Sequence, residues 1–339
     1  MSTQVLNSGS VVERLKRTRA VMSQHGIHAL LVPSADPHLS EYLPAYWQGR
    51  QWLSGFYGSV GTLIVTPTFA GVWADSRYWE QAGKELSGST IELVKLLPGQ
   101  PGPLEWLAEQ TPEGATVSVD GAVLALASAR TLESRLKERG ATLRTDIDLL
   151  GLVWKDRPTL PVQPVYEHLP PQATVSRVDK LQQLRETLKQ RKADAHFIAT
   201  LDDIAWLFNL RGSDVSFNPV FVSFALIEEA RATLFVDLHK VSAELRGTLA
   251  REGIELCDYT GINAALASLP ATTRLLVDPV RVTCGLIGHL KPEVKLVEGL
   301  NPTTLSKSQK SLDDAVHIRQ AMEQDGAALC EFFAWLETA

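Results

Sequence analysis

The sequence predicts an α/β fold in which one unit is written twice, each copy a mixed sheet flanked by helices, with a separate helix at the end. Three observations carry this. Short apolar runs alternate with helix-periodic segments, the signature of layered α/β domains. The pattern restarts after residue 175. Corresponding positions then recur at nearly one period: Leu30 and Phe197, Asp75 and Asp237, Asp120 and Asp278 lie 167, 162 and 158 residues apart. Such a period is too long for a solenoid repeat.

The first unit opens with Ser10-Val-Val-Glu13, read as a capping box, followed by Val11, Leu15 and Met22 at helical spacing and Gly26 as a C-terminal stop. Strands are expected at 28–32, 61–66, 69–73 and 115–119, and a helix at 77–85. The second unit opens with Ser176-Arg-Val-Asp179, again a cap, then the stripe Val178, Leu181, Leu184 and Leu188. Strands follow at 195–199, 219–227, 232–236 and 275–277. Between the units lie prolines 158, 161, 164, 170 and 171, a composition that predicts a stiff, extended linker. A second break at Gly299-Leu-Asn-Pro302 precedes Ser311-Leu-Asp-Asp314, a third capping box. Ile318, Met322, Leu329, Phe332 and Leu336 carry a helical stripe almost to the last residue. The expected domains are therefore 1–157, a linker 158–174, a second domain 175–304, and 305–339 as the start of something further.

Composition narrows the function. The chain has 339 residues, 45% hydrophobic and 21% charged, with a net charge of −6. An acidic balance argues against a nucleic-acid partner, and no polybasic patch points to a membrane surface. The N-terminal stretch has no apolar core of the kind a secretory leader needs. The run Val220–Ile227 falls far short of the ~20 residues of a membrane helix. Cys257, Cys284 and Cys330 are scattered without metal-binding spacing, which fits a reducing, cytoplasmic compartment.

Several constellations could carry chemistry. Gly55-Phe-Tyr-Gly-Ser-Val-Gly61 superficially suggests a phosphate loop, but the β-branched run after it reads as a strand, so a glycine-rich turn is expected. Asp36, His38 and Glu41 could hold a metal, but such a cluster is more often a loop entering a helix, with its carboxylate near the N-terminus. No HExxH or GxSxG occurs. Residues 206–214, Trp-Leu-Phe-Asn-Leu-Arg-Gly-Ser-Asp, alternate like a strand edge; a short helix from Asp202 fits equally. Arg211 and its polar neighbours are either a turn held by side-chain hydrogen bonds or a wall of a ligand site. Arg77, in Trp73-Ala-Asp-Ser-Arg-Tyr-Trp79, is either a surface ion pair with Asp75 or Glu80, or a clamp for a carboxylate. The residues alone leave that open.

These stretches, with Pro33–Tyr42, Ser54–Thr62, Trp154–Pro158, Asn218-Pro-Val-Phe221 and the last helix Asp325–Glu337, resemble the three-domain aminopeptidase P branch of the creatinase/prolidase metallopeptidases over essentially the whole chain. The resemblance implies two similar N-terminal α/β domains before a "pita-bread" catalytic domain. There, two divalent metals, usually manganese, are bound by two Asp, one His and two Glu, and a bridging hydroxide cleaves the bond before a penultimate proline. It further implies that 305–339 begins that catalytic domain, that no catalytic or metal-binding residue lies in this chain, and that the fragment alone is inactive. Arg77 is the implied substrate contact, with Asp75, Tyr78, His38 and Arg211 as weaker candidates. The implied partners are Xaa-Pro peptides, the catalytic domain and a second copy of the chain. A stand-alone peptide-binding or scaffolding module is the alternative.

Overall fold

The computed structural model describes residues 8–339. The first domain runs α1 (Ser8–Gln24), β1 (Ala29–Pro33), α2 (Gly49–Ser54), β2 (Thr62–Val65), β3 (Ala70–Ala74), α3 (Trp79–Glu85), β4 (Glu92–Lys95), α4 (Pro103–Gln110), β5 (Thr116–Ser118), α5 (Leu126–Glu138), β6 (Thr142–Arg144) and α6 (Leu149–Val153). A short strand, β7 (Tyr166–Glu167), precedes the second domain. That domain runs α7 (Arg177–Gln190), β8 (Ala195–Ile198), α8 (Leu201–Leu207), β9 (Leu210–Arg211), β10 (Ser223–Glu228), β11 (Ala232–Val236), α9 (Ala243–Arg251), β12 (Ile254–Cys257), α10 (Ile262–Ser268), β13 (Arg274–Val277), α11 (Cys284–Ile287), β14 (Lys295–Glu298) and α12 (Pro302–Ser308). The long helix α13 (Leu312–Leu336) follows.

The two sheets have one topology. The first is ordered β4-β3-β2-β1-β5-β6 and the second β12-β11-β10-β8-β13-β14. Senses match strand for strand: β1–β2 and β8–β10 are antiparallel, as are β2–β3 and β10–β11. The remaining pairs are parallel in both. Asp75 and Asp237 each end the third strand and accept the amide two residues on, from Arg77 and His239. Asp120 and Asp278 do the same after β5 and β13, toward Ala122 and Val280. The duplication read from the offsets is thus a duplication of fold and of turn chemistry.

Both faces of each sheet are covered, so the inner strands are apolar throughout. In β1, Leu30 and Val32 join Val11, Leu15 and Met22 of α1, while Ala29 and Leu31 join Trp73, Leu107 and Leu132 on the opposite face. The second domain divides likewise, with Ile198 and Leu234 on one face and Phe197 and Phe235 on the other.

The domains meet through corresponding segments. Ala125 and Thr283 form an antiparallel bridge. Cys284 N donates to Leu124 O at 2.8 Å, and Leu126 N donates to Val282 O at 2.9 Å. Leu124 and Val282, Ala125 and Thr283, and Leu126 and Cys284 all stand 158 residues apart, the same offset as Asp120 and Asp278. The contact is therefore reciprocal, an internal pseudo-two-fold. Gly121 and Gly285 let the backbones touch: a Cβ on Gly285 would lie 2.7 Å from Gly121 C.

Some expectations shift. Ser10 lies inside α1 rather than capping it. The caps at Ser176 and Ser311 form as read. Residues 201–207 are helical, and strand geometry begins only at Leu210. The proline-rich segment is not a free spacer. Val165 N donates to Lys240 O, β7 pairs with β9, and Glu167 pairs with the buried Arg177. Helix α13 leaves Ile318, Met322, Leu329, Phe332 and Leu336 exposed, with no buried residue along its length.

Candidate functional site

A cavity of about 550 Å³ opens between the domains. The first domain contributes Ser34, Tyr42, Arg50, Tyr57 and Ser59; the second contributes 215–218.

The first wall is built by Arg50. Its guanidinium is buried and donates through Nε to Ser34 Oγ at 2.6 Å, through Nη1 to Phe56 O at 2.8 Å, and through Nη2 to Gly58 O. Burial pushes this arginine down to about 10. The glycine-rich 55–61 stretch is therefore a strapped loop between α2 and β2, with Gly55 at φ +75° ending the helix. Its amides are not arrayed at a helix N-terminus, as a phosphate loop requires.

The strapped loop presents Ser59, whose hydroxyl lies 2.6 Å from Tyr78 Oη. Next to Tyr78 in the chain stands Arg77, which does not itself line the cavity. Asp75 Oδ1 accepts from Arg77 N and Nε, both at 3.0 Å, and Oδ2 from Nη2 at 2.9 Å. The Arg77 side chain is 65% exposed, and its carbon Cζ stands 5.2 Å from the Tyr78 ring centroid. These bonds hold Asp75 below the usual carboxylate range and raise Arg77 further. Glu41, on the cavity wall, adds to that field. Asp75 occupies the side-on edge of the guanidinium. Nη1 has no partner among the described residues, so the end-on pair of donors remains available to a ligand.

The opposite wall is a tight turn, with Asn218 N donating to Val215 O at 3.2 Å. At its tip Phe217 is fully exposed with φ +60°. Behind the turn, Asp214 is buried, pairs with Lys240, and accepts Val222 N at 2.7 Å. The side-chain-braced turn reading of 211–214 holds for Asp214.

Arg77, Asp75 and Tyr78 are thus brought together with Ser59 and Glu41. Of the neighbouring aromatics only Tyr78 flanks Arg77. Trp73 is buried against Trp106 on the sheet face, and Trp79 donates to Ala74 O and meets Lys95. His38 is elsewhere: it is buried between the domains, with Nδ1 2.8 Å from Ala199 O, Nε2 3.1 Å from Tyr259 Oη, and its ring 4.4 Å from Phe224. Both nitrogens are engaged, and Asp36 Oδ1 accepts the amides of His38 and Ser40, so Asp36, His38 and Glu41 do not form a metal site. Among the described residues no three His, Cys, Asp or Glu side chains converge as a ligand group. The residues present do not fit a dinuclear metal centre. Arg211 lies in a second cavity with Trp206 and Lys180. The sequence reading missed Arg50 and Phe217. A charged residue in the first turn of a short helix, and an aromatic before Asn-Pro, gave no local signal.

No helix among the described residues is long and apolar enough to cross a membrane. Two family models, both of the creatinase/prolidase N-terminal domain, match residues 14–158 and 156–313. The "Probable Xaa-Pro aminopeptidase P" of Aspergillus flavus is 37% identical over 335 residues, 96% of this chain and 51% of that protein. That of Botryotinia fuckeliana is 35% identical over 98% of this chain and 52% of its own. The crystal structure of X-prolyl aminopeptidase from Caenorhabditis elegans, a cytosolic enzyme with a di-nuclear active site, aligns at a TM-score of 0.90 and 28% identity, over 98% of this chain and 56% of that one. The chain spans about half the length of these relatives. It belongs to the creatinase/prolidase family, as two N-terminal domains of the aminopeptidase P kind.

Proposed function

We propose that this chain forms the substrate-facing, non-catalytic half of an Xaa-Pro aminopeptidase, which removes an N-terminal residue preceding proline. Hydrolysis on this reading uses two divalent metals, manganese in the first instance, held by residues outside this chain. The chain alone is inactive. Its own contribution is positioning. Arg77 offers the end-on edge of its guanidinium to a peptide carbonyl or carboxylate, while Asp75 fixes the side-on edge and Tyr78 braces the ring side. The exposed apolar stripe of α13 docks in the catalytic half, or on a second copy when that half is missing. Three free cysteines accord with a cytoplasmic setting.

The observation that carries this reading is the exposed Arg77, bonded along one edge by Asp75 and next to Tyr78, whose hydroxyl meets Ser59 of the inter-domain cavity. A guanidinium locked by its neighbour loses little entropy on binding, and its delocalised charge is present at any working pH. The test uses the enzyme at the length of its relatives. Arg77→Ala should lower kcat/KM for an Xaa-Pro peptide by roughly ten- to a thousandfold, at about 1.4 kcal/mol per decade. Arg77→Lys should restore only part, because an ammonium cannot present two parallel donors. Unchanged kinetics in Arg77→Ala, with the fold intact, would remove the basis for the assignment.

A further inference from the structure

The second cavity, about 490 Å³, lies where the second domain meets α12 and the first turns of α13. Its lining is cationic. Lys180 is buried on α7; its ammonium donates to Trp206 O at 2.9 Å and Asn209 Oδ1 at 2.5 Å, and sits 4.4 Å from the Trp206 ring centroid. Arg211 is half-buried and donates through Nη1 to Ala205 O at 2.8 Å and Leu210 O at 2.9 Å. Every one of these acceptors is neutral, and neither cation makes an ion pair among the described residues. Burying a charge without a countercharge is costly. Lys180 shows that cost: burial, then the adjacent Arg211, pushes it down to about 8. His168 is lowered by burial and then by the same two cations.

The carboxylate that lines the cavity, Asp314, has both oxygens committed. Oδ1 accepts the Thr174 hydroxyl at 2.8 Å, and Oδ2 accepts Ser311 N at 2.9 Å in the cap of α13. Lys307 is committed to Asp202 and Asp203. On the α13 side, His317 Nδ1 is buried with no hydrogen-bond partner. A buried ring nitrogen without a partner, two cations answered by one nearby carboxylate already bonded in the cap of α13, and a polar cavity therefore converge.

We propose that this cavity binds a small oxyanion, a phosphate or a carboxylate group, which accepts from Lys180, Arg211 and His317 and so ties α13 to the second domain. The third ammonium hydrogen of Lys180 and the unused donors of Arg211 are free for it. Charge-assisted bonds of this kind supply most of the strength of such sites.

Isothermal titration of the 339-residue chain tests this, with inorganic phosphate in one arm and succinate in the other, against chloride at matched ionic strength. Saturable one-to-one binding of at least one probe is expected, and the arm that responds identifies which oxyanion is preferred. Arg211→Gln should weaken that binding about ten- to a hundredfold. Thermal unfolding adds a second readout. The probe should raise the melting temperature of the parent chain, and at the same concentration should raise that of Arg211→Gln less. If Arg211→Gln fails to fold, His317→Leu, on the exposed helix, takes its place. No saturable heat from either probe into the tens of millimolar, or equal binding by parent and variant, would overturn the proposal.

Discussion

Replacing Gly285 with alanine probes the joint between the domains. Its Cβ would stand 2.7 Å from Gly121 C, 2.8 Å from Gly121 O and 2.9 Å from Ala122 N, all backbone atoms of the other domain. Carbon atoms pack at about 3.5–4.0 Å, so the segments must part by roughly 1 Å. The Cys284–Leu124 and Leu126–Val282 hydrogen bonds, now 2.8 and 2.9 Å, would then leave bonding range. Overpacking costs about 1–3 kcal/mol, and two lost bonds about 0.5–1.5 kcal/mol each, so a total of about 2–6 kcal/mol is expected. Urea unfolding followed by the fluorescence of the eight tryptophans reads this out. A one-step transition should also separate into two as the domains uncouple. Gly83, on α3, is the control. A methyl group added there would meet nothing within 4 Å, and its alanine variant should be neutral or more stable. If Gly285→Ala unfolds within about 0.5 kcal/mol of the parent, the reciprocal joint does not hold the domains together.

Two further outcomes follow from the buried polar groups. His196 is fully buried, with Nδ1 3.0 Å from Leu276 O, and burial pushes it down to about 4 from the ordinary 6.5. Its folded-state value is depressed, so the unfolded chain takes up the proton first; stability is intact above about pH 6.5 and falls by about 2–3 kcal/mol on reaching about pH 4.5, and His196→Asn should flatten that limb in equilibrium unfolding. Asp120, pushed up to about 6 by burial and then by Asp148, acts with the opposite sign and offsets part of the loss. Asp75→Ala and Asp237→Ala should each cost about 0.5–2 kcal/mol as turn caps, measured by thermal unfolding, and on the function proposed above only the first should lower kcat/KM for an Xaa-Pro peptide in the protein at the length of its relatives.

The inner strands were legible because both faces of each sheet are covered, which writes Ala29–Pro33 and Ala232–Val236 as apolar runs. The four edge strands were not. Glu92–Lys95, Thr142–Arg144, Ile254–Cys257 and Lys295–Glu298 carry charged or polar residues among the apolar ones, because one side of an edge meets water. The helix at Leu201–Leu207 was one of two equal readings, left open because the alternation of Trp206 and Phe208 imitates a strand while their neighbours pack at helical spacing. His38 was misplaced for a different reason. Its partners, Ala199 and Tyr259, belong to the other domain, and no local pattern encodes a contact across 161 or 221 residues.

Arg77 was legible as a residue but not as a role, and the duplication supplies what a single copy lacks. Asp75 and Asp237 accept the same amide at the same bend, at 3.0 and 2.9 Å, so the aspartate at this position serves the turn wherever the fold is used. The residue two further on differs: Arg77 in the first domain, His239 in the second. Each also bonds its aspartate, Arg77 through two side-chain nitrogens and His239 through Nδ1 at 3.0 Å. The turn therefore needs a donor there but not a guanidinium. Only the first copy pairs that bend with a strapped loop, a Tyr78–Ser59 contact and a cavity faced by the other domain. What the two copies share is the requirement of the fold; the end-on edge of Arg77, present in one copy and unspent on structure, is what remains for a ligand.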